Sequence, residues 1–133
     1  MDFTDFKEVE NFRESYKSLN NEKVVYIFLY EIDIHRLVGK SPILKIGETL
    51  DFKKRMSRYF NERNIEKLEK SDRRKTAFRL RNFFDNKAEN NIRLLYKSFP
   101  NASKKDLIIE ERKLLKKYME EHLETPPLNM GLK

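Results

Sequence analysis

The stretch VVYIFLYEIDIHRLVGKSPILKIGETLDFKKRMSRYF, residues 24–60, decides the fold. It opens on β-branched and aromatic residues, which suits a strand buried over residues 24–32. Gly39 and the Ser41-Pro42 pair read as a loop over residues 35–41. Ile43-Leu44-Lys45-Ile46-Gly47 is a second short strand, so the two form an antiparallel hairpin. After Gly47 the period changes. Phe52, Met56, Tyr59, Phe60 and Arg63 fit one face of a helix that starts near Asp51.

Outward from this stretch the pattern alternates again. Phe3, Phe6, Val9, Phe12, Tyr16 and Leu19 recur at steps of three or four, which predicts an amphipathic helix over residues 3–19. It packs on its own sheet or serves as a dimer element. Residues 61–91 are polar and read as a helical insert, with an apolar stripe at Ala77, Leu80, Phe84 and Ala88. A third strand is expected over residues 92–99, ended by Pro100. Ser103 and Asp106 have the spacing of a capping box, opening a helix over residues 104–121. Pro126-Pro127 ends regular structure. The expected class is α/β in the α+β sense: a small three-stranded antiparallel sheet flanked by helices, in one domain over residues 1–133.

Composition narrows the chemistry. The 133 residues contain no cysteine, which removes disulfides, thiolate zinc sites and cysteine nucleophiles. His35 and His122 alone make no zinc site. No apolar run approaches the roughly 18 residues of a membrane helix, and the first eleven residues lack the apolar core of a signal peptide. A cytoplasmic protein is the default expectation. The net charge is +7, and residues 53–81 carry more than all of it, with twelve basic and four acidic residues. A local basic surface of this kind suits a phosphate backbone, although a solvated helix face has the same composition.

Two side chains stand out against ordinary packing. Position 111 lies three or four residues from Leu107, Ile108, Leu114 and Leu115, in the middle of an apolar stripe, and is Glu111. Burying an unpaired carboxylate costs several kcal/mol, about 3 or more. Either a buried partner satisfies it, or it is a metal ligand or catalytic acid at the lip of a cleft. Arg55 and Tyr59, four residues apart, share a helix face beside the Phe52, Met56 and Phe60 stripe. A guanidinium beside a phenol suits a phosphate, while an Arg lying along the core edge is the plainer reading. Lys45 interrupts an otherwise apolar strand, and Gly47 after it allows a close backbone approach.

The ordered set VVY at residues 24–26, KIG at 45–47, Arg55, Tyr59, E-x-x-L-L-x-x-Y at 111–118 and Leu128-Asn129 resembles the GIY-YIG nuclease superfamily. The resemblance spans residues 24–60 and 92–129. The first tripeptide lacks its glycine, Lys45 stands for the second tyrosine, and Tyr59 stands for the usual histidine. Some restriction-type and phage-type members share such variants. The resemblance implies a metal-dependent endonuclease acting on duplex DNA, from a phage, mobile-element or restriction setting. It implies that Tyr26 takes a proton from the attacking water, with Lys45 lowering its pKa or accepting the proton instead. Arg55 would bind a non-bridging oxygen, Tyr59 would position phosphate or water, and Glu111 would hold Mg²⁺ or Mn²⁺. Gly47 and Asn129 would support the site, Asn129 by fixing a helix end or Glu111. Lys53, Lys54, Arg58, Arg73, Arg74, Lys75, Arg79 and Arg81 would then contact the DNA backbone. The alternative is a module of the same fold that binds nucleic acid without cutting it. A helix-rich protein-interaction domain would instead scatter these side chains over different faces.

Overall fold

The computed structural model describes residues 1–60 and 92–129. The insert expected at 61–91, with Arg73, Arg74, Lys75, Arg79 and Arg81, lies outside the described residues, as does Arg63. The architecture is α+β. Four antiparallel strands form one sheet: β1 (Lys7–Val9), β2 (Val24–His35), β3 (Lys40–Thr49) and β4 (Ile92–Ser98). Their spatial order is β1-β4-β2-β3. Among the described residues three α-helices accompany them: α1 (Phe12–Ser15), α2 (Phe52–Phe60) and α3 (Lys104–His122).

β2 is central, and its inner half, residues 24–29, is buried on both faces. This explains why its sequence is apolar without alternation. Tyr26 and Phe28 face α2 and join Phe52, Met56, Tyr59 and Phe60. Val25, Ile27 and Leu29 face α3 and join Leu107, Leu115 and Tyr118. The sheet thus separates two cores, one under each long helix.

The expected loop at 35–41 is shorter than the composition suggests. Both strands run on past the core, pairing Ile34 with Ser41 and His35 with Lys40. Gly39, at φ 72°, closes the turn. Pro42 sits inside β3 rather than in a turn. An edge strand tolerates it, because proline only lacks a donor. The register jumps between Phe28 and Leu29, whose partners are Lys45 and Ile43. Leu44 is the extra residue of a bulge and turns into the α2 core.

The N-terminal helix expected over residues 3–19 is not formed. β1 pairs with β4, adding the fourth strand, and only the short α1 and a 3₁₀ turn at Tyr16–Ser18 follow. The apolar residues at helical spacing serve two different faces. Phe3 and Phe6 pack on the α3 side, whereas Phe12 and Tyr16 pack on the α2 side. One straight helix could not reach both. Asn11, at φ 49°, supplies the left-handed residue where the chain turns between them.

The last helix matches expectation closely. The Ser103 side chain accepts from the Asp106 N–H at 3.2 Å, and the Asp106 carboxylate accepts from the Ser103 N–H at 2.9 Å. No helix among the described residues is long and apolar enough to cross a membrane.

Candidate active site at the edge of the sheet

Tyr26 and Gly47 are directly opposed across β2 and β3. The tyrosine ring lies over the glycine so closely that a Cβ there would stand 2.4 Å from Tyr26 Cζ. Gly47 is therefore required by the ring, not by a turn. Phe52 stacks beside the same ring, 6.3 Å between centroids, and Phe28 and Tyr59 meet it edge-on.

α2 begins only two residues after β3, and its start is locally specified. The Asp51 carboxylate accepts from the Lys54 N–H at 3.0 Å, and Thr49 Oγ1 accepts from the Asp51 N–H at 3.1 Å. This short connection brings Arg55 and Tyr59 back over Tyr26. The two phenol oxygens share a hydrogen bond of 2.8 Å. Arg55 Nη1 donates to the Tyr26 oxygen across 3.4 Å. Burial pushes the Tyr26 phenol well above its usual pKa, and Tyr59 adds to this, while Arg55 works the other way. Arg55 is thus a cation that acts on Tyr26, the effect that the resemblance assigned to Lys45.

Lys45 pairs in register with Phe28 at the bulge and is 8% exposed. Its charge is felt by Glu111. That residue stands between Leu107 and Leu115 on the stripe of α3 that packs on the sheet, and it is half-buried. Burial raises the Glu111 carboxyl above the usual carboxylate range, and the charge of Glu48 raises it further. Lys45, Lys104 and Arg55 pull it back. Glu111 is thus a half-buried carboxylate on that stripe, within electrostatic reach of Arg55, Lys45 and Lys104. Tyr26, Tyr59 and Arg55 approach from one face of β3, and Glu111 from the other. Arg55 links the two groups, since it donates to Tyr26 and its charge is felt by Glu111.

Comparison with family models, curated proteins and solved structures finds no match.

Asn129 acts elsewhere than expected. Its amide donates to the Ile46 carbonyl at 2.8 Å and accepts from the Ile46 N–H at 3.0 Å. The Leu128 N–H donates to the Leu44 carbonyl at 2.9 Å. The tail therefore holds the outer edge of β3 beside Lys45 and Gly47, rather than a helix end or Glu111. Asn129→Ala should lower stability by about 1–2 kcal/mol, because two partly buried backbone groups lose their partner. Chemical denaturation measures this, and Asn129→Asp, which keeps only the acceptor, should fall between.

Lys53, Lys54 and Arg58 are exposed on the outer side of α2. His35 is exposed, and His122 Nδ1 donates to the Val38 carbonyl at 2.7 Å while its ring packs on Tyr118. Neither histidine approaches the cluster. Sequence reading missed Glu48 and Lys104, whose contact joins residues 56 apart. Glu48 directly follows the KIG tripeptide, but only the register shows that it faces α3.

Proposed function

We propose that the chain is a metal-dependent endonuclease of the GIY-YIG type that hydrolyses DNA phosphodiester bonds. The observation that carries this reading is the cluster of Tyr26, Tyr59 and Arg55, with Glu111 within electrostatic reach of that arginine. A guanidinium and two hydrogen-bonded phenols meet at one face of the strand, and a carboxylate under the influence of Arg55 and Lys45 lies at the other. Such a set supplies what phosphodiester hydrolysis needs: a cation for the phosphate, hydroxyls to orient it and a carboxylate for a divalent ion.

Glu111 suits that last role on physical grounds. Its carboxyl is held above the usual range by burial and by a like charge, and a divalent cation relieves both. Mg²⁺ or Mn²⁺ held there would supply Lewis-acid stabilisation of charge on the phosphate. Arg55 binds a non-bridging oxygen and, being always charged, stabilises the transition state. Tyr59 fixes the Tyr26 oxygen and orients the phosphate. Tyr26 has no exposed surface, and burial favours its neutral form. It therefore accepts a proton only when the positive charge facing it offsets that burial. Lys45 is the other acceptor at this edge when its amine is neutral.

A second reading is favoured by that same burial. A phenol with no access to water fits a module that binds nucleic acid without cutting it. Incubation with supercoiled plasmid in Mg²⁺ and in Mn²⁺ separates the two. The enzyme reading expects nicked or linear product; intact DNA with binding retained selects the module. Both readings place duplex DNA against α2. Replacing Lys53, Lys54 and Arg58 together by alanine should weaken binding. The slope of log affinity against log salt should fall by about 1 for each phosphate that α2 no longer neutralises. An unchanged slope, measured by fluorescence anisotropy, removes α2 from the interface.

A further inference from the structure

Glu48 is the carboxylate nearest in sequence to Gly47, and it has a definite partner. Lys104, the first residue of α3, places its ammonium 2.6 and 2.7 Å from the two Glu48 oxygens. The Glu48 side chain is 12% exposed, against 47% for Lys104. Glu48 pairs in register with Val25, so its side chain lies on the face covered by α3. Glu111 lies two turns further along that helix, on the stripe between Leu107 and Leu115. The charged groups that bear on it are Glu48 and Lys45 from β3, Lys104 from α3 itself and Arg55 from α2. An exposed ion pair does little for stability. This one is different in that its acidic member is shielded and its charge reaches Glu111.

We propose that Glu48 and Lys104 are positioning residues for Glu111: their ion pair ties the first turn of α3 to β3 and holds one negative and one positive charge within electrostatic reach of that carboxylate. Together they set how tightly the site holds a divalent cation. The proposal rests on the reading of Glu111 as the carboxylate that binds the cation. Neither residue needs to touch the ion for this. Removing either charge shifts the local potential, and the two removals shift it in opposite directions.

Mn²⁺ binding to the intact protein without DNA, followed by electron paramagnetic resonance at pH 8, tests this. Glu48→Gln is expected to weaken binding by about three- to tenfold, and Lys104→Met to strengthen it by a similar factor. Lys104→Arg, which keeps the charge, should bind as the unmodified protein does. A merely structural pair would move both neutralising variants the same way, in step with their melting temperatures. That result, or no change in either, overturns the proposal. Glu111→Gln in the same assay tells the two possible failures apart. If it leaves Mn²⁺ binding intact, the reading of Glu111 fails and the proposal with it. If it abolishes binding while the other two variants move together, only the role of the pair fails.

Discussion

Glu111→Gln is expected to abolish plasmid cleavage while making the protein more stable at neutral pH. With Glu111 in its proposed role of holding a divalent ion, the loss of rate should be on the order of a thousandfold or more, since a neutral amide replaces the charge. The gain in stability follows from the direction of the pKa shift. A carboxyl whose pKa is raised in the folded state binds its proton more tightly there than in the unfolded chain. As pH rises above about 4.3, the unfolded chain ionises first, and the folded state loses relative stability. Burial and Glu48 cause the shift; glutamine avoids both at neutral pH. Thermal melting should therefore show a higher transition for the variant at pH 7 and no gain near pH 3. A residue kept for packing would lose stability at both pH values. A variant that is inactive and less stable throughout would remove Glu111 from the site.

Gly47→Ala should have the largest effect on the fold. The added methyl would lie 2.4 Å from Tyr26 Cζ and 2.5 Å from its oxygen, and the ring has nowhere to retreat. Phe28, Phe52 and Tyr59 enclose it, and the residue is fully buried. Overpacking a core costs about 1–3 kcal/mol, sometimes more, and the upper end applies here because backbone faces ring. Displacing the ring also breaks the 2.8 Å bond to Tyr59, so activity should fall with stability. Combining Gly47→Ala with Tyr26→Leu should recover much of the stability and none of the cleavage. Denaturant unfolding beside the plasmid assay checks both. A single variant as stable and active as the parent would show that the ring does not need that space.

Much of this arrangement was legible in residue order. The hairpin, the helix after Gly47, the third predicted strand and the capped last helix follow from periodicity and local signals, because each is specified by neighbours in the chain. Glu111 was legible as an exception to its own stripe. The N-terminal segment was not, since Phe3 to Leu19 has helical spacing while its residues divide between two cores. Only tertiary packing decides between those outcomes. The role of Asn129 was hidden for a similar reason: its partner is a backbone position 83 residues away, and backbone groups leave no trace in side-chain patterns. The Lys104–Glu48 contact depends on which face each residue of β3 presents. The bulge at Leu44 alters that locally.

The hold of Leu128 and Asn129 on β3 also bears on self-association. A bare edge strand offers a template on which a second chain can add, the first step toward fibrils and swapped dimers. Here the Leu44 carbonyl and both backbone groups of Ile46 already have partners. At the opposite border β1 is only three residues long, and its Lys7 and Glu8 are exposed. An asparagine side chain thus stands in for the next strand at the β3 border of the sheet that the described residues form.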